Sequence, residues 1–233
     1  IRYAVVGAGW ISQEAFMPAV ATTGNSRMQA IVSGSHAAAQ RLADFHGVPE
    51  VVDYSGYDAL LASDRIDAVY IALPNSMHAD YVIRALRAGK HVMVEKPLAI
   101  SLAESEAMVA AARESGAFLM TAYRLHTEPG TIEAIDMIRR GEIGDPRFFT
   151  SVFSFPVGAG NHRLKAEHWG GPLQDIGVYC INAMRHLFGS EPTEVIAATA
   201  HAPGDRRFTE VEEMVSATLR FPGDRLGHFI ASF

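Results

Sequence analysis

Over the first half of the chain, short apolar runs alternate with stretches whose apolar residues recur at helical spacing. Residues 3–6, 28–32, 51–52, 68–72, 91–94 and 118–120 read as six strands. Helices are predicted after the first strand to about residue 21, then over 37–45, 57–61, 76–88 and 101–115. Gly47, Gly89 and Gly116 supply stop signals, and Ser101 with Glu104 forms a capping box. The run 68–72 is apolar throughout, as expected of a central strand covered on both faces. Strand–helix alternation of this kind predicts an α/β fold with a doubly wound parallel sheet.

Beyond residue 122 the rhythm changes. A helix over 131–140, a strand over 147–155, a Gly-rich loop and a helix over 172–188 precede strands at 194–200, 211–221 and 225–233. This predicts a C-terminal α+β domain with a large open mixed sheet. The expected division is 1–122 for a dinucleotide-binding Rossmann domain and 123–233 for a substrate and oligomerisation domain. The chain starts at Ile1 and stops within an apparent strand, so a longer natural protein is expected, with a half-finished strand edge at its end.

Composition narrows the chemistry. The 233 residues are 48% hydrophobic and 20% charged, enough for one large or two modest cores. A formal net charge of -6 argues against a nucleic-acid partner held by phosphate neutralisation. No apolar run is long enough to span a bilayer, and a cytoplasmic setting is expected, with a periplasmic one left open. The single cysteine, Cys180, excludes a disulfide framework within the chain. No metal-ligand spacing is found among the histidines, and no catalytic metal is expected.

The motif Gly7-x-Gly9-x-x-Ser12 follows a strand and opens a helix, the context that a dinucleotide-binding loop requires. Gly7 suits the tight turn, Gly9 admits the pyrophosphate, and Trp10, Ile11 and Ser12 complete the loop, with the Ser12 hydroxyl a candidate phosphate donor. After the second strand stand Ser33, Gly34 and Ser35, with Arg41 further along the helix. An NAD enzyme is expected to carry an acid there for the ribose hydroxyls. Its absence, with two hydroxyls and an arginine, predicts NADP, with NAD as the other possibility.

Lys96, within Glu95-Lys96-Pro97, ends the fifth strand. Asp175 and Tyr179 lie four residues apart in a predicted helix and so share a face. A lysine, a carboxylate and a phenol in a chain with a dinucleotide loop suit hydride transfer at a hydroxyl-bearing carbon. These motifs, together with Leu73-Pro74-Asn75-Ser76-Met77-His78, Tyr123-Arg124-Leu125-His126 and Gly170-Gly171-Pro172, occur in an order that resembles the glucose–fructose oxidoreductase and inositol dehydrogenase family. The resemblance runs through all 233 residues and is strongest to the glucose–fructose oxidoreductase branch.

The resemblance implies an oxidoreductase acting on a sugar or sugar-like polyol, with Tyr179 as acid/base aided by Lys96 and Asp175. It places Leu73, Pro74, Asn75, His78, Glu95, Lys96 and Arg124 against the cofactor. Substrate contacts are expected from Lys96, Tyr123, His126, Trp169, Asp175 and Tyr179, with Arg163, Lys165 and His168 as further lining. His78 could equally cap its own helix. Trp169 suits stacking on a pyranose but departs from the three-glycine lead common in the family. Most members oligomerise through the open sheet, so a homo-oligomer is expected. The alternatives are a dehydrogenase of inositol or another cyclic polyol, and a nicotinamide-binding sensor without turnover.

Overall fold

The computed structural model describes residues 1–233, which divide into two compact units, Ile1–Ala122 and Tyr123–Phe233. In the first unit, strands β1 (Arg2–Val6), β2 (Arg27–Val32), β3 (Glu50–Val52), β4 (Ala68–Ile71), β5 (His91–Val94) and β6 (Leu119–Thr121) form one parallel sheet in the order β3-β2-β1-β4-β5-β6. This is the order of a Rossmann sheet, with its switch point between β1 and β4. Helices α1 (Met17–Thr22), α2 (His36–His46), α3 (Tyr57–Leu61), α4 (His78–Arg87) and α5 (Leu102–Ser115) connect the strands. Two apolar layers flank the sheet. One includes Val6, Ile71, Leu86 and Met108, and the other includes Val5, Met17, Ile31 and Ala43. Successive strand residues thus face opposite cores, which is why β4 is buried at every position.

Local signals act as read, with refinements. The Ser101 hydroxyl caps α5 by accepting from Glu104 N–H at 3.2 Å. Glu104 reaches back one residue further than the usual box, accepting from Ile100 N–H at 3.1 Å. The sixth strand is Leu119–Thr121, one residue later than predicted, because Phe118 is solvent-exposed and its N–H bonds to His91 Nδ1. The helix after β1 begins at Trp10 and Ile11 and passes through a π-helical turn, Ser12–Phe16, before α1.

In the second unit, α6 (Pro129–Arg139) precedes β7 (Phe148–Ser154), and α7 (Val178–Phe188) precedes β8 (Glu194–Ala200), β9 (Met214–Phe221) and β10 (Arg225–Ser232). The sheet order is β7-β10-β9-β8, with β7 and β10 parallel and the other pairs antiparallel. Strand β10 is therefore internal and paired on both sides. The expectation of an open edge at residues 225–233 is corrected: the edges are β7 and β8. One sheet face packs on α7 through Cys180, Met184, Phe188, Leu219, Phe221 and Phe229. The approach is close, since a Cβ on Gly227 would lie 2.4 Å from Met184 Sδ. The helix predicted over 172–188 also begins in a π-helical turn, Leu173–Gly177.

Candidate active site

Gly7 ends β1 at φ 95°, a conformation that favours glycine, and a Cβ there would sit 2.4 Å from the Ala72 carbonyl oxygen. The loop after β1 thus presses against the segment after β4 at the switch point. A Cβ on Gly9 would meet nothing within 4 Å, so the backbone there stands open to a pyrophosphate. Trp10 projects outward, 74% exposed, and Ile11 is half-buried. This cradle fits a dinucleotide.

Ser12 requires correction. It is 0% exposed and its hydroxyl donates to Gly7 O at 2.6 Å, so it braces the loop from within and offers no proton to a phosphate. At the end of β2, Ser33 is buried and its Oγ accepts from Ser35 N–H at 3.3 Å, while Gly34 and Ser35 are exposed. Arg41 is exposed on α2. Asp53 lies beside this corner, because Val32 pairs with Val52, but its carboxylate accepts from Ser55 Oγ and Gly56 N–H.

His78 is a second correction. Its ring is 0% exposed, with Nδ1 2.8 Å from Pro97 O and Nε2 2.9 Å from Leu73 O. It clamps the segment after β4 to the segment after β5 and presents no nitrogen to a cofactor. Leu73 is buried, while Pro74 and Asn75 are half-buried at the start of the α4 approach. Lys96 is half-buried, and the Lys96–Pro97 peptide is cis. Glu95 accepts from Tyr70 Oη at 2.6 Å and from Lys96 N–H at 3.3 Å. The sequence marks Tyr70 only as part of an apolar strand; the available signal was a phenol, with a hydroxyl to satisfy, in an otherwise aliphatic buried strand.

In the second unit, Asp175 is 8% exposed and accepts from Arg163 Nε at 2.8 Å. The loop between them is folded back on itself: Gly170 N–H bonds to Lys165 O, and Gly171 N–H to Arg163 O. A Cβ on Gly170 would lie 2.3 Å from Arg163 O, so glycine is required there. Trp169 adopts φ 53°, the left-handed conformation a glycine would take, at a cost of about 1–2 kcal/mol. The sequence suggests Arg163 only as site lining; the structure makes it the partner of Asp175.

Tyr179 follows Asp175 across the end of the π turn. Its ring meets Tyr123 edge-on at 5.3 Å between centroids and Phe153 at 5.6 Å. Burial, and secondarily Tyr179, push the Tyr123 phenol pKa up, so Tyr123 stays protonated. Tyr123 also contacts His126, whose imidazole lies 4.9 Å from that of His186. Arg124 is exposed. Lys165 pairs instead with Glu210 at 2.6 Å.

Comparison with known proteins decides the family. The model described as "Oxidoreductase family, NAD-binding Rossmann fold" matches residues 1–123, and that of the GFO/IDH/MocA C-terminal domain matches 131–233. The chain belongs to the GFO/IDH/MocA oxidoreductase family. Among curated relatives, a D-xylose 1-dehydrogenase [NADP(+)] of Haloarcula marismortui is 36% identical over 86% of this chain and 58% of its own length. A dTDP-3,4-didehydro-2,6-dideoxy-alpha-D-glucose 3-reductase of Actinomadura kijaniata is 38% identical over 86% of this chain and 60% of its own. The chain thus spans about three-fifths of the length of these relatives. Among solved structures, the aldose-aldose oxidoreductase of Caulobacter crescentus, complexed with glycerol, superposes with a TM-score of 0.94 at 36% identity, covering 100% of this chain and 70% of that one. A 3-ketoreductase of Actinomadura kijaniata in complex with TDP-benzene and NADP gives 0.90 at 33%, with the same coverages. No helix is long and apolar enough to cross a membrane.

Proposed function

We propose that this protein is an NADP-dependent oxidoreductase of a sugar or sugar-like polyol. The observation that carries the reading is the buried Asp175, held by Arg163 and followed one turn later by Tyr179. A carboxylate fixed in this way can accept from a substrate hydroxyl and orient it, and Tyr179 supplies the acid/base group. The corner formed by Ser33, Gly34 and Ser35 supports NADP, since it exposes the Ser35 hydroxyl and places no carboxylate at the end of β2. Relatives named for NADP and for sugar substrates point the same way.

In this reading, Lys96 and the Asp175–Tyr179 pair act on one substrate hydroxyl. During oxidation the Tyr179 phenolate takes the hydroxyl proton as the carbonyl forms; during reduction the phenol returns it. The Lys96 ammonium stabilises negative charge on the substrate oxygen. Bound NADP supplies the acceptor of the hydride that leaves the same carbon. Leu73, Pro74, Asn75 and Arg124 serve as cofactor contacts, and Tyr123, His126 and Trp169 as walls for the sugar. The outward face of the second sheet carries Phe148, Val152 and Ile196, all exposed, and serves as a homo-oligomer interface.

The test is to ask whether the purified protein carries or binds NADP and reduces it with one of a panel of aldoses and cyclic polyols. Tyr179→Phe is expected to lower turnover by about 100-fold or more while leaving NADP affinity within about twofold. Cofactor binding with no reduction by any sugar would favour a sensor, and near-normal turnover of the variant would remove Tyr179 from the chemistry.

A further inference from the structure

We infer that Tyr70 is a positioning residue that ties the glycine-rich cofactor loop to the strand end bearing Lys96. The inference rests on the proposed catalytic role of Lys96, but its geometry lies wholly within the first unit. Tyr70 is the third residue of β4 and is 2% exposed. A buried phenol must place its hydroxyl on a partner. Here the hydroxyl donates to Glu95 Oε1 at 2.6 Å, a short bond to a carboxylate of the stronger, charge-assisted kind.

The other Glu95 oxygen accepts from the Lys96 N–H at 3.3 Å, and Glu95 N–H bonds to Ile71 O at 2.9 Å. Both oxygens and the backbone of Glu95 are therefore fixed by β4 and by the residue that follows it. The carboxylate stands as a bracket around the base of Lys96.

The opposite side of the Tyr70 ring carries the second half of the link. Phe16 stacks on it with centroids 3.8 Å apart and planes 9° from parallel, and Tyr3 meets Phe16 edge-on at 5.4 Å. Phe16 closes the π-helical turn Ser12–Phe16, which begins inside the cofactor loop and is bolted to it by the Ser12 hydroxyl. One residue subtends about 100° of an α-helix, so an unbroken α-helix from the same start would swing residue 16 away from Tyr70. The π turn thus aims Phe16, Phe16 holds the Tyr70 ring, and the Tyr70 hydroxyl holds Glu95. These contacts make one continuous path from the cofactor loop to Lys96.

Tyr70→Phe tests the link, since it keeps the stacked ring and deletes only the hydroxyl. Turnover is expected to fall about tenfold, with NADPH affinity within about twofold and melting temperature close to the parent. In a Glu95→Ala background, adding Tyr70→Phe should change turnover no further, whereas a merely structural residue would cause the same loss in both backgrounds. Hydrogen exchange over residues 91–98 should slow on adding NADPH to the parent and slow less in Tyr70→Phe. Unchanged turnover with unchanged exchange, or equal losses with and without Glu95, would overturn the inference. Lys96→Met separates it from the reading it rests on: retained turnover there would sink the role of Lys96, and the exchange comparison would still judge the link.

Discussion

Arg163 donates from Nε to Oδ2 of Asp175 at 2.8 Å, across a loop that glycine alone allows to close. The carboxylate is nearly buried and the guanidinium about one-third exposed. Removing the arginine leaves a charge in a low-dielectric site without its partner, which is more damaging than never having built the pair. Arg163→Ala is expected to cost about 2–4 kcal/mol, discounted from a fully buried pair for the exposure of the arginine. Turnover should fall more than sugar affinity, because Asp175 loses its fixed direction. Arg163→Lys restores charge but not the planar fork and should recover only part of the loss. Denaturant melts and steady-state kinetics of the two variants check this.

At the end of β2, Ser33 accepts from the N–H of Ser35, and β2 itself brings no acid to this corner. An aspartate at 33 can keep that bond while repelling a 2′-phosphate and attracting ribose hydroxyls. Ser33→Asp is expected to lower the ratio of NADPH to NADH affinity by about tenfold or more. Titrations of both cofactors against the variant measure it; an unchanged ratio would place phosphate recognition elsewhere.

His78 joins two carbonyls that follow neighbouring strands, Pro97 O and Leu73 O. Burial lowers its pKa against the pull of these carbonyls, and the neutral ring, with a single N–H, donates to one of them at a time. His78→Ala strands a buried acceptor and opens a cavity, at a cost of about 2–4 kcal/mol. The effect should appear in the melting temperature, and the loss of cofactor affinity should be secondary to it. A variant with full stability and weakened cofactor binding would restore His78 as a direct contact.

The imidazoles of His126 and His186 lie 4.9 Å apart. Burial first, then the neighbouring His126 and Arg139, hold the His186 pKa below 6.5. The unfolded chain therefore binds this proton more readily than the folded one. Stability from this site is complete above about pH 6.5 and is lost as pH falls through the folded value. Melting temperatures at pH 7.5 and 5.5 should show the decline, and His186→Gln should shrink it. An equal decline in the variant would assign the acid sensitivity to other groups.

The repeating periodicity of residues 1–122 made the Rossmann sheet legible, because the central strands are local apolar runs and three of the five helices end at a readable glycine. Gly7 and Lys96 were legible for the same reason: their positions follow from strand ends. Ser12 and His78 were misread because a hydroxyl or an imidazole near a cofactor loop looks alike whether it faces outward or bonds to its own backbone. The Arg163–Asp175 pair was not legible, since it depends on a loop that doubles back. Tyr70 was hidden by its strand, where period-two alternation says which face a side chain takes but not what its far atom meets. The π turns left no signal, because an extra residue in a helix alters phase without altering composition.

Strand β10 sits between β7 and β9, with Leu226 paired to Phe148 across a long separation in sequence. As the polypeptide emerges from the ribosome, α7 is made well before Phe229 and Ala231, residues that complete its apolar cover. The nascent second unit must therefore wait, with α7 only partly covered and β7 unpaired, until β10 can be threaded into the middle of the sheet. Such a non-local closure folds slowly and leaves sticky surface exposed during synthesis. Yield in a cellular host should accordingly depend on translation speed and holdase chaperones more than on the strength of the finished fold.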